Sequence, residues 1–437
     1  MLKLPSDGRS REFTLLFVVM LTIAAGNTAL QSVLPAIGRS LEIPDAAIAV
    51  AFSVSALVWA LVAQRWARKS DHHGRKAMIL LGMGGFIASL ILCGLALSAG
   101  ILGWIGPAAT MLAFVFGRLL YGYFGAAAPP AAQAIVADST TRAERTRALT
   151  LLGSAFGLGT ILGPALAPFL ILPIVGLAGP AYVIAVFGII VMIAVARLLP
   201  AHGVIHDPSA HGAATSYPTI GGQSSGASIT AATAQRSSVD VRLRDPRIWP
   251  WMLVGLVMGH AQAMTGQAIG FLVIDRLGLP PAMAQQSIGI VLMMGAGATL
   301  LAQWGLIPLL SLTPRALVIW GIVIAAIGSA LTGIATSLHA ISVAFALSSL
   351  GFGFVRPGFT AGASLAVGAE EQGAVAGRVT AVNGATFVVG PSIGVGLYEV
   401  AKPLPYAVAA FALLVTLVYA LRAITSARSA DEASPGR

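Results

Sequence analysis

The chain has 437 residues, of which 57% are hydrophobic and only 10% are charged, and its mean hydropathy is +0.86. A soluble domain is usually about a quarter charged, so this composition excludes a large soluble protein and indicates a polytopic membrane protein. The net charge of +10 comes from basic residues in short connectors rather than on one face, a pattern that speaks against nucleic-acid binding.

Twelve apolar runs are long enough to cross about 30 Å of hydrocarbon, which takes roughly 20 residues each. All should be helices, because a backbone in lipid must satisfy its own hydrogen bonds. The first run is too long for a signal peptide, so we expect a retained span. The predicted spans are 13–37, 45–65, 77–98, 106–135, 147–171, 176–198, 248–273, 283–309, 316–335, 340–366, 374–398 and 404–424.

The basic residues predict the orientation. With the N-terminus inside, 21 of the 26 Lys and Arg residues fall in inner loops, in tails or at the inner ends of spans, whereas the outer loops hold only Arg39, Arg276 and Lys402. Short basic connectors stay on the cytoplasmic side of a membrane. We therefore expect a multi-pass protein of the cytoplasmic (inner) membrane, with both termini in the cytoplasm.

A stretch rich in Ser, Ala, Gly and Thr interrupts the apolar runs and predicts a flexible cytoplasmic linker. Its His202, His206 and His211 have no standard metal spacing, and the one cysteine, Cys93, lies within a span. We therefore expect no metal site and no cofactor. The predicted units are a six-helix bundle (1–199), the linker (200–247), a second six-helix bundle (248–424) and a cytoplasmic tail (425–437).

An internal repeat supports two six-helix halves. A shift of 227 residues superimposes Pro130 on Pro357 and Gly157 on Gly384, and it also brings Gly163-Pro164 onto Gly390-Pro391. Near the second span, a shift of 239 residues places Gln64 on Gln303. Parallel halves of six spans form one of the known layouts of secondary transporters.

Three short motifs occur in the first half. They are Asp71-His72-His73-Gly74-Arg75-Lys76 between the second and third spans, Arg118-Leu119-Leu120-Tyr121-Gly122 in the fourth span, and Gly159-Thr160-Ile161-Leu162-Gly163-Pro164 in the fifth span. The first resembles the loop between spans two and three of the major facilitator superfamily (MFS). The second is similar to that family's Arg-x-x-x-Gly motif, and the third to its antiporter motif. The chain thus resembles this superfamily over almost its whole length, and within it the twelve-span drug:proton antiporter group.

The resemblance implies an all-α fold of twelve transmembrane helices in two pseudo-symmetric bundles. It also implies that Asp71, with Gly74, Arg75 and Lys76, belongs to a conformational latch. The partner of Asp71 would be the start of the eleventh span, near 373–377. The alternative is a turn residue that begins the third span.

Two arginines lie inside spans, where a charge costs several kcal/mol and usually faces a bundle interior or a wet cavity. Arg118, with Tyr121 about one turn further on, is either a hydrogen-bonding hub or a site for anions or proton coupling. Arg356, at a Pro-Gly helix break, either contacts an anionic substrate or reaches out toward a loop at the cytoplasmic end.

Polar residues on the first and seventh spans should face a central cavity near the midplane. Asn27 and Gln31 share one helical face, and His260 and Gln267 lie at the corresponding place of the second half. Asn383 in the eleventh span is a further candidate. The alternative for each is ordinary hydrogen bonding between helices.

All 16 acidic residues lie in loops, tails or span ends, so no carboxylate is expected in the cavity. Histidine changes charge near neutral pH, and His260 is the one such group within a span centre. We therefore expect a monomeric secondary transporter that works by alternating access, exporting a small neutral or anionic compound in exchange for protons. The alternatives are an organic-anion uptake permease or facilitator and, remotely, a membrane receptor or enzyme.

Overall fold

The computed structural model describes residues 7–140, 142–200, 241–368 and 371–424. Twelve helices account for most of these residues, and each predicted span coincides with one of them. They are α1 (Asp7–Ser40), α2 (Asp45–His73), α3 (Arg75–Ile101), α4 (Pro107–Phe124, Gly125–Ala127 and Ala128–Ser139), α5 (Arg142–Leu166), α6 (Gly179–Leu198), α7 (Trp249–Leu277), α8 (Pro281–Leu300, Leu301–Leu306 and Ile307–Leu310), α9 (Pro314–Ile334), α10 (Leu338–Leu365), α11 (Gln372–Val400) and α12 (Leu404–Ala423).

Within the described ranges, eleven helical spans are long and apolar enough to cross a membrane. The helix that is not among them is α7, whose central part carries His260, Gln262, Thr265 and Gln267. These polar side chains lower its hydropathy. The all-α architecture is therefore confirmed, and the bilayer crossing of α7 stays a prediction.

Two helices depart from regular geometry. In α4, a 3-10 turn at Gly125–Ala127 precedes Pro129 and Pro130, which have no N–H group for the helical ladder. In α8, the segment Leu301–Leu306 is a π-helix, an irregularity that often occurs at functional sites.

The predicted loop between spans two and three is almost entirely helical. The helix α2 continues to His73, and α3 begins at Arg75, so Gly74 alone separates them. Its φ of 87° and ψ of 139° suit glycine and strain other residues. Asp71 thus lies in the last turn of α2 rather than at the start of α3, contrary to the turn interpretation.

We call the membrane face at which α1 begins the N-terminal face, and the other one the opposite face. Among the first six helices, α1 packs on α5 and α3 on α4 and α6; among the last six, α7 packs on α11 and α9 on α10. Contacts between the two sets join α2 to α11, α5 to α8, and α1 to α7 and α8.

The two sets of helices are joined near the opposite face. One apolar core runs through the first set and continues into the parts of α7, α8, α10 and α11 nearest that face, whereas most of the second set near the N-terminal face forms a separate core. Every hydrogen bond between described side chains of the two sets also lies in the half nearer the opposite face. These bonds are Gln31–Gln267, Ser32–Gln285, Arg39–Asp275 and Ser53–Ser392.

Most of the predicted linker, residues 201–240, lies outside the described residues, as does the predicted tail. The described end of the linker is attached to the second set of helices. Val241 and Ile248 are buried, and Val241 O accepts a hydrogen bond from Arg378 Nε. Arg247 donates to both Asp245 and Glu371, and these bonds hold the pKa of each carboxyl below its usual range.

Candidate functional site

A cavity of about 450 Å³ lies between the two sets of helices. Its walls come from α1 and α5 of the first set and from α7, α8, α10 and α11 of the second. This placement makes it the natural candidate for a ligand site, since transporter sites lie near the midplane where the two repeats meet.

Arg356 on α10 lines this cavity and is 6% exposed. Its Nη2 donates a hydrogen bond of 2.5 Å to Gln262 Oε1 on α7, and its Cζ lies 5.9 Å from the ring centre of Phe387. No described carboxylate forms an ion pair with it. A guanidinium has five N–H donors, so Arg356 retains capacity for an anionic ligand.

Gln31 on α1 and Gln267 on α7 meet in the cavity wall. Gln31 Nε2 donates to Gln267 Oε1 at 2.7 Å, and both side chains line the cavity. This bond joins the two sets of helices directly at the ligand site.

The rest of the wall is apolar and neutral polar. Among the described lining residues, Arg356 is the only charged one. The aromatic and neutral polar members include Phe345, Phe352, Phe387, Trp304, Gln303 and Thr299. Such a wall suits an organic molecule that is neutral or carries a negative charge, because a cation would meet Arg356 without a compensating carboxylate.

The motif helix α5 fits closely against α1. A Cβ atom at Gly159 would lie 2.6 Å from Leu21 O, and one at Gly163 would lie 2.4 Å from Ala25 O, so only glycine fits. Pro164 lines the cavity one residue further on. The Gly-x-x-x-Gly spacing therefore allows the backbones of α1 and α5 to approach each other.

Arg118 and Tyr121 do not line this cavity. Arg118 is 4% exposed, and its Cζ lies 4.5 Å from the ring centre of Phe52 and 4.8 Å from that of Tyr121. Its Nε has no hydrogen-bond partner within the described part of the chain. Two aromatic faces thus stabilise the charge between α2 and α4.

The other predicted cavity residues, Asn27, His260 and Asn383, also lie outside the cavity wall. Asn27 Oδ1 and both amide atoms of Asn383 are buried and unpartnered among the described atoms. His260 is half-buried, and its Nδ1 lies 2.8 Å from Leu256 O, the carbonyl one helical turn earlier. A direct role for these three in the cavity stays a prediction.

The latch motif is described in part. Arg75 is 2% exposed and forms an ion pair with Asp138 at the end of α4. Lys76 Nζ donates to Ala196 O and Leu199 O at the end of α6. Both basic residues thus bind helix ends within the first set. The side chain of Asp71 lies outside the described residues, so its latch role stays a prediction.

Sequence reasoning gave no role to Asp138, Gln303 or the aromatic residues of the wall. Phenylalanines occur throughout the spans, and their spacing does not tell which side of a helix faces a cavity. Gln262 lies two residues after His260. Its role could not be predicted from neighbouring residues, because it depends on a hydrogen bond from Arg356, which is 94 residues away.

A family model described as "Major Facilitator Superfamily" matches residues 16–313. The chain belongs to the Major Facilitator Superfamily. With this family and its apolar helical spans, it is a multi-pass protein of the lipid bilayer. The predicted family is confirmed.

Several relatives are drug-resistance proteins by name. Multidrug resistance protein 2 of Bacillus subtilis is 35% identical over 123 residues, which is 28% of this chain and 27% of that protein. The class B tetracycline resistance protein of Escherichia coli is 34% identical over 156 residues, 35% of each chain. These matches span about a third or less of the relatives.

Solved transporter structures share the fold over almost the whole chain. The human organic anion transporter MFSD10 has a TM-score of 0.62 at 17% identity, covering 95% of this chain and 100% of that one. A bacterial homolog of the lysosomal transporter Spinster, described as inward-facing and unoccupied, has a TM-score of 0.67 at 13% identity, covering 96% of each.

Proposed function

We propose that this protein is a secondary active transporter that works by alternating access and exports a neutral or anionic organic compound in exchange for protons. The observation that carries the proposal is Arg356, the only charged side chain among the described lining residues of a cavity between the two helix sets. The names of the multidrug and tetracycline resistance relatives support export as the direction.

The surroundings of Arg356 favour an anion contact over a loop contact. A buried arginine without a carboxylate partner is costly, and hydrogen bonds and aromatic faces offset only part of that cost. Gln262 accepts one hydrogen bond from the guanidinium, and the ring of Phe387 lies 5.9 Å from its Cζ atom. An organic anion would supply the missing countercharge. A neutral compound would use the glutamine amides and the aromatic wall.

The arrangement of contacts supports alternating access. Hydrogen bonds and the shared core join the helix sets near the opposite face, so the described conformation is closed there. The basic connectors favour a cytoplasmic location for the N-terminal face. The cavity then faces the cytoplasm in this state, and the second state would require the α1–α7 and α2–α11 contacts to separate.

Proton coupling needs a group that takes up a proton, and the described cavity wall has no carboxylate. His260 is our candidate, because its half-buried imidazole can bind a proton at the ring nitrogen that does not contact Leu256 O. It lies on the same helix as Gln262, which accepts the hydrogen bond from Arg356.

A second candidate function is uptake or facilitated passage of an organic anion, which Arg356 also favours. The two candidates differ in their response to a pH gradient. A facilitator brings its substrate to equilibrium whatever the pH gradient. An antiporter uses the pH gradient to accumulate the substrate against the substrate's own concentration gradient.

The test is flux in proteoliposomes under an imposed pH gradient, with naphthoate as the anion, naphthol as the neutral compound and ethidium as the cation. We expect gradient-driven movement of naphthoate and little of ethidium. Arg356→Gln should abolish naphthoate flux and spare naphthol. Arg422→Gln, at an exposed site in the last turn of α12, is the matched control. Naphthoate flux that ignores the gradient would refute coupling and favour the facilitator.

A further inference from the structure

The ends of α1 and α7 are related by a repeat of their own. A shift of 236 residues superimposes Gln31 on Gln267 and Arg39 on Asp275. Just beyond the two helices, it also superimposes Pro44 on Pro280, which precede α2 and α8 with nearly the same backbone angles. The two helix ends are therefore equivalent parts of the two halves.

These equivalent residues touch each other. Gln31 Nε2 donates to Gln267 Oε1 at 2.7 Å in the cavity wall, and Arg39 Nη2 approaches Asp275 Oδ2 at 3.3 Å two helical turns further on. Between them, Pro35 fills the space beside Gly270, where a Cβ atom would lie 2.6 Å from the proline Cγ. We call this contact the α1–α7 seam.

The far end of the seam is an ionic cluster at the opposite face. Arg39 forms two hydrogen bonds with Asp45, and Asp275 accepts one from Tyr398 and lies 3.5 Å from Lys402. The cluster draws residues from both helix sets, so it exists only while the opposite face is closed. It is partly exposed, so each pair contributes modestly.

The near end of the seam is different, because Gln31 and Gln267 also line the ligand cavity. A ligand can shift a conformational equilibrium only by binding one state better than the other. Arg356 and Gln262 both belong to the second helix set, so an anion held by them alone keeps the same contacts in either state. A ligand group that reaches Gln31 and Gln267 competes with the bond that closes the seam.

We infer that the transported substrate is an organic anion with a second, neutral hydrogen-bonding group at its far end, and that this second group opens the α1–α7 seam. The inference rests on the proposed function, because it takes Arg356 as the anion site. Gln262 and Gln267 are five residues apart on α7, which is about 7.5 Å along the helix axis. The aromatic wall accommodates the apolar body between the two polar ends.

The first experiment measures binding to the purified protein. The probes are naphthoate and a hydroxynaphthoate whose hydroxyl and carboxylate lie at opposite ends of the fused ring. The hydroxyl should raise affinity between about twofold and tenfold in the wild-type protein, the range of one net hydrogen bond. That gain should vanish in Gln267→Leu and in Gln31→Leu, and monodisperse elution of both variants in detergent shows that they are folded.

The second experiment measures distance across the opposite face. Spin labels at Ile174→Cys and Ile334→Cys, both exposed, are introduced in a Cys93→Ser background. Hydroxynaphthoate should populate longer distances in the wild-type protein, and naphthoate should not. Gln267→Leu should show longer distances without any ligand.

The outcomes separate the two claims. The seam inference is wrong if both probes bind and lengthen the spin-label distance equally. It is also wrong if the glutamine variants leave the spin-label distance unchanged. In either case the proposed function stands. If naphthoate binds Arg356→Gln as well as it binds the wild-type protein, the anion site is wrong and the inference fails with it.

Discussion

The close fit of α1 against α5 makes the substitution Gly163→Ala a sharp test of the structure. A Cβ atom at this position would lie 2.4 Å from Ala25 O and 2.8 Å from Ala29 N, both backbone atoms of α1. Ordinary contact begins near 3.4 Å, so the two helices would have to separate by about 1 Å. Overpacking of this kind costs about 1–3 kcal/mol.

Steric fit should outweigh hydrogen bonding at this contact. Thr28 Oγ1 approaches Gly159 O at 3.3 Å, and such bonds between membrane helices average about 0.6 kcal/mol. We therefore expect Gly163→Ala to lower the midpoint of thermal inactivation clearly more than Thr28→Val does.

The assay is thermal inactivation in detergent, monitored by the monodisperse fraction. Gly157→Ala on the same helix is the control for stability, because its new Cβ atom would meet only Leu300 Cδ2 at 3.5 Å. A midpoint for Gly163→Ala equal to that of Gly157→Ala would refute the described packing of α1 on α5.

Three further predictions concern the N-terminal face and use the same thermal assay. Gly74→Ala should destabilise by about 1–3 kcal/mol, because its positive φ is strained for alanine; an unchanged midpoint would contradict that backbone. Asp138→Asn should destabilise the protein more than Arg75→Gln, because it takes a countercharge away from a buried guanidinium, whereas the loss of Arg75 leaves a carboxylate that is 36% exposed; the reverse order would be inconsistent with the pair. Arg247→Gln should lower the midpoint at neutral pH, because Arg247 lowers the pKa of Glu371 and this ion pair stabilises the fold only while the carboxylate is charged. The difference from the wild-type midpoint should disappear as the pH falls below the usual pKa range of glutamate. A difference that persists in acid would contradict the ion pair.

The fold could be predicted from the sequence because hydrocarbon imposes one rule on every span. Runs of about 20 apolar residues must be helices, and basic connectors assign the loops to faces. The same rule does not apply in the connector around Asp71. There the chain is polar, and no pattern in it predicts that α2 continues to His73 before Gly74 breaks the helix.

The site was harder to predict, because a residue's position along a span does not tell which neighbour it faces. Arg118 and Arg356 look alike in sequence as charges within spans. Only the packing distinguishes them: Gly122 lets α2 approach α4, which brings Phe52 onto Arg118, whereas Arg356 lies beside Gln262 in the cavity.

The internal repeat also relates residues that the shifts of 227 and 239 residues do not superimpose. Shifts of 227 and 239 residues indicated two halves, but a different shift, 236, relates the ends of α1 and α7. Because helices and loops differ in length between the halves, no single shift applies throughout. Contacts between equivalent residues, such as Gln31 with Gln267, became visible only when both helices were in place.

The measurement that bears most directly on the central claim is an experimental structure of the protein with hydroxynaphthoate bound. The ligand should occupy the cavity between the helix sets, with its carboxylate about 2.8 Å from a nitrogen of Arg356. A ligand bound at Arg118 instead, or a cavity left empty at saturating ligand, would contradict that claim.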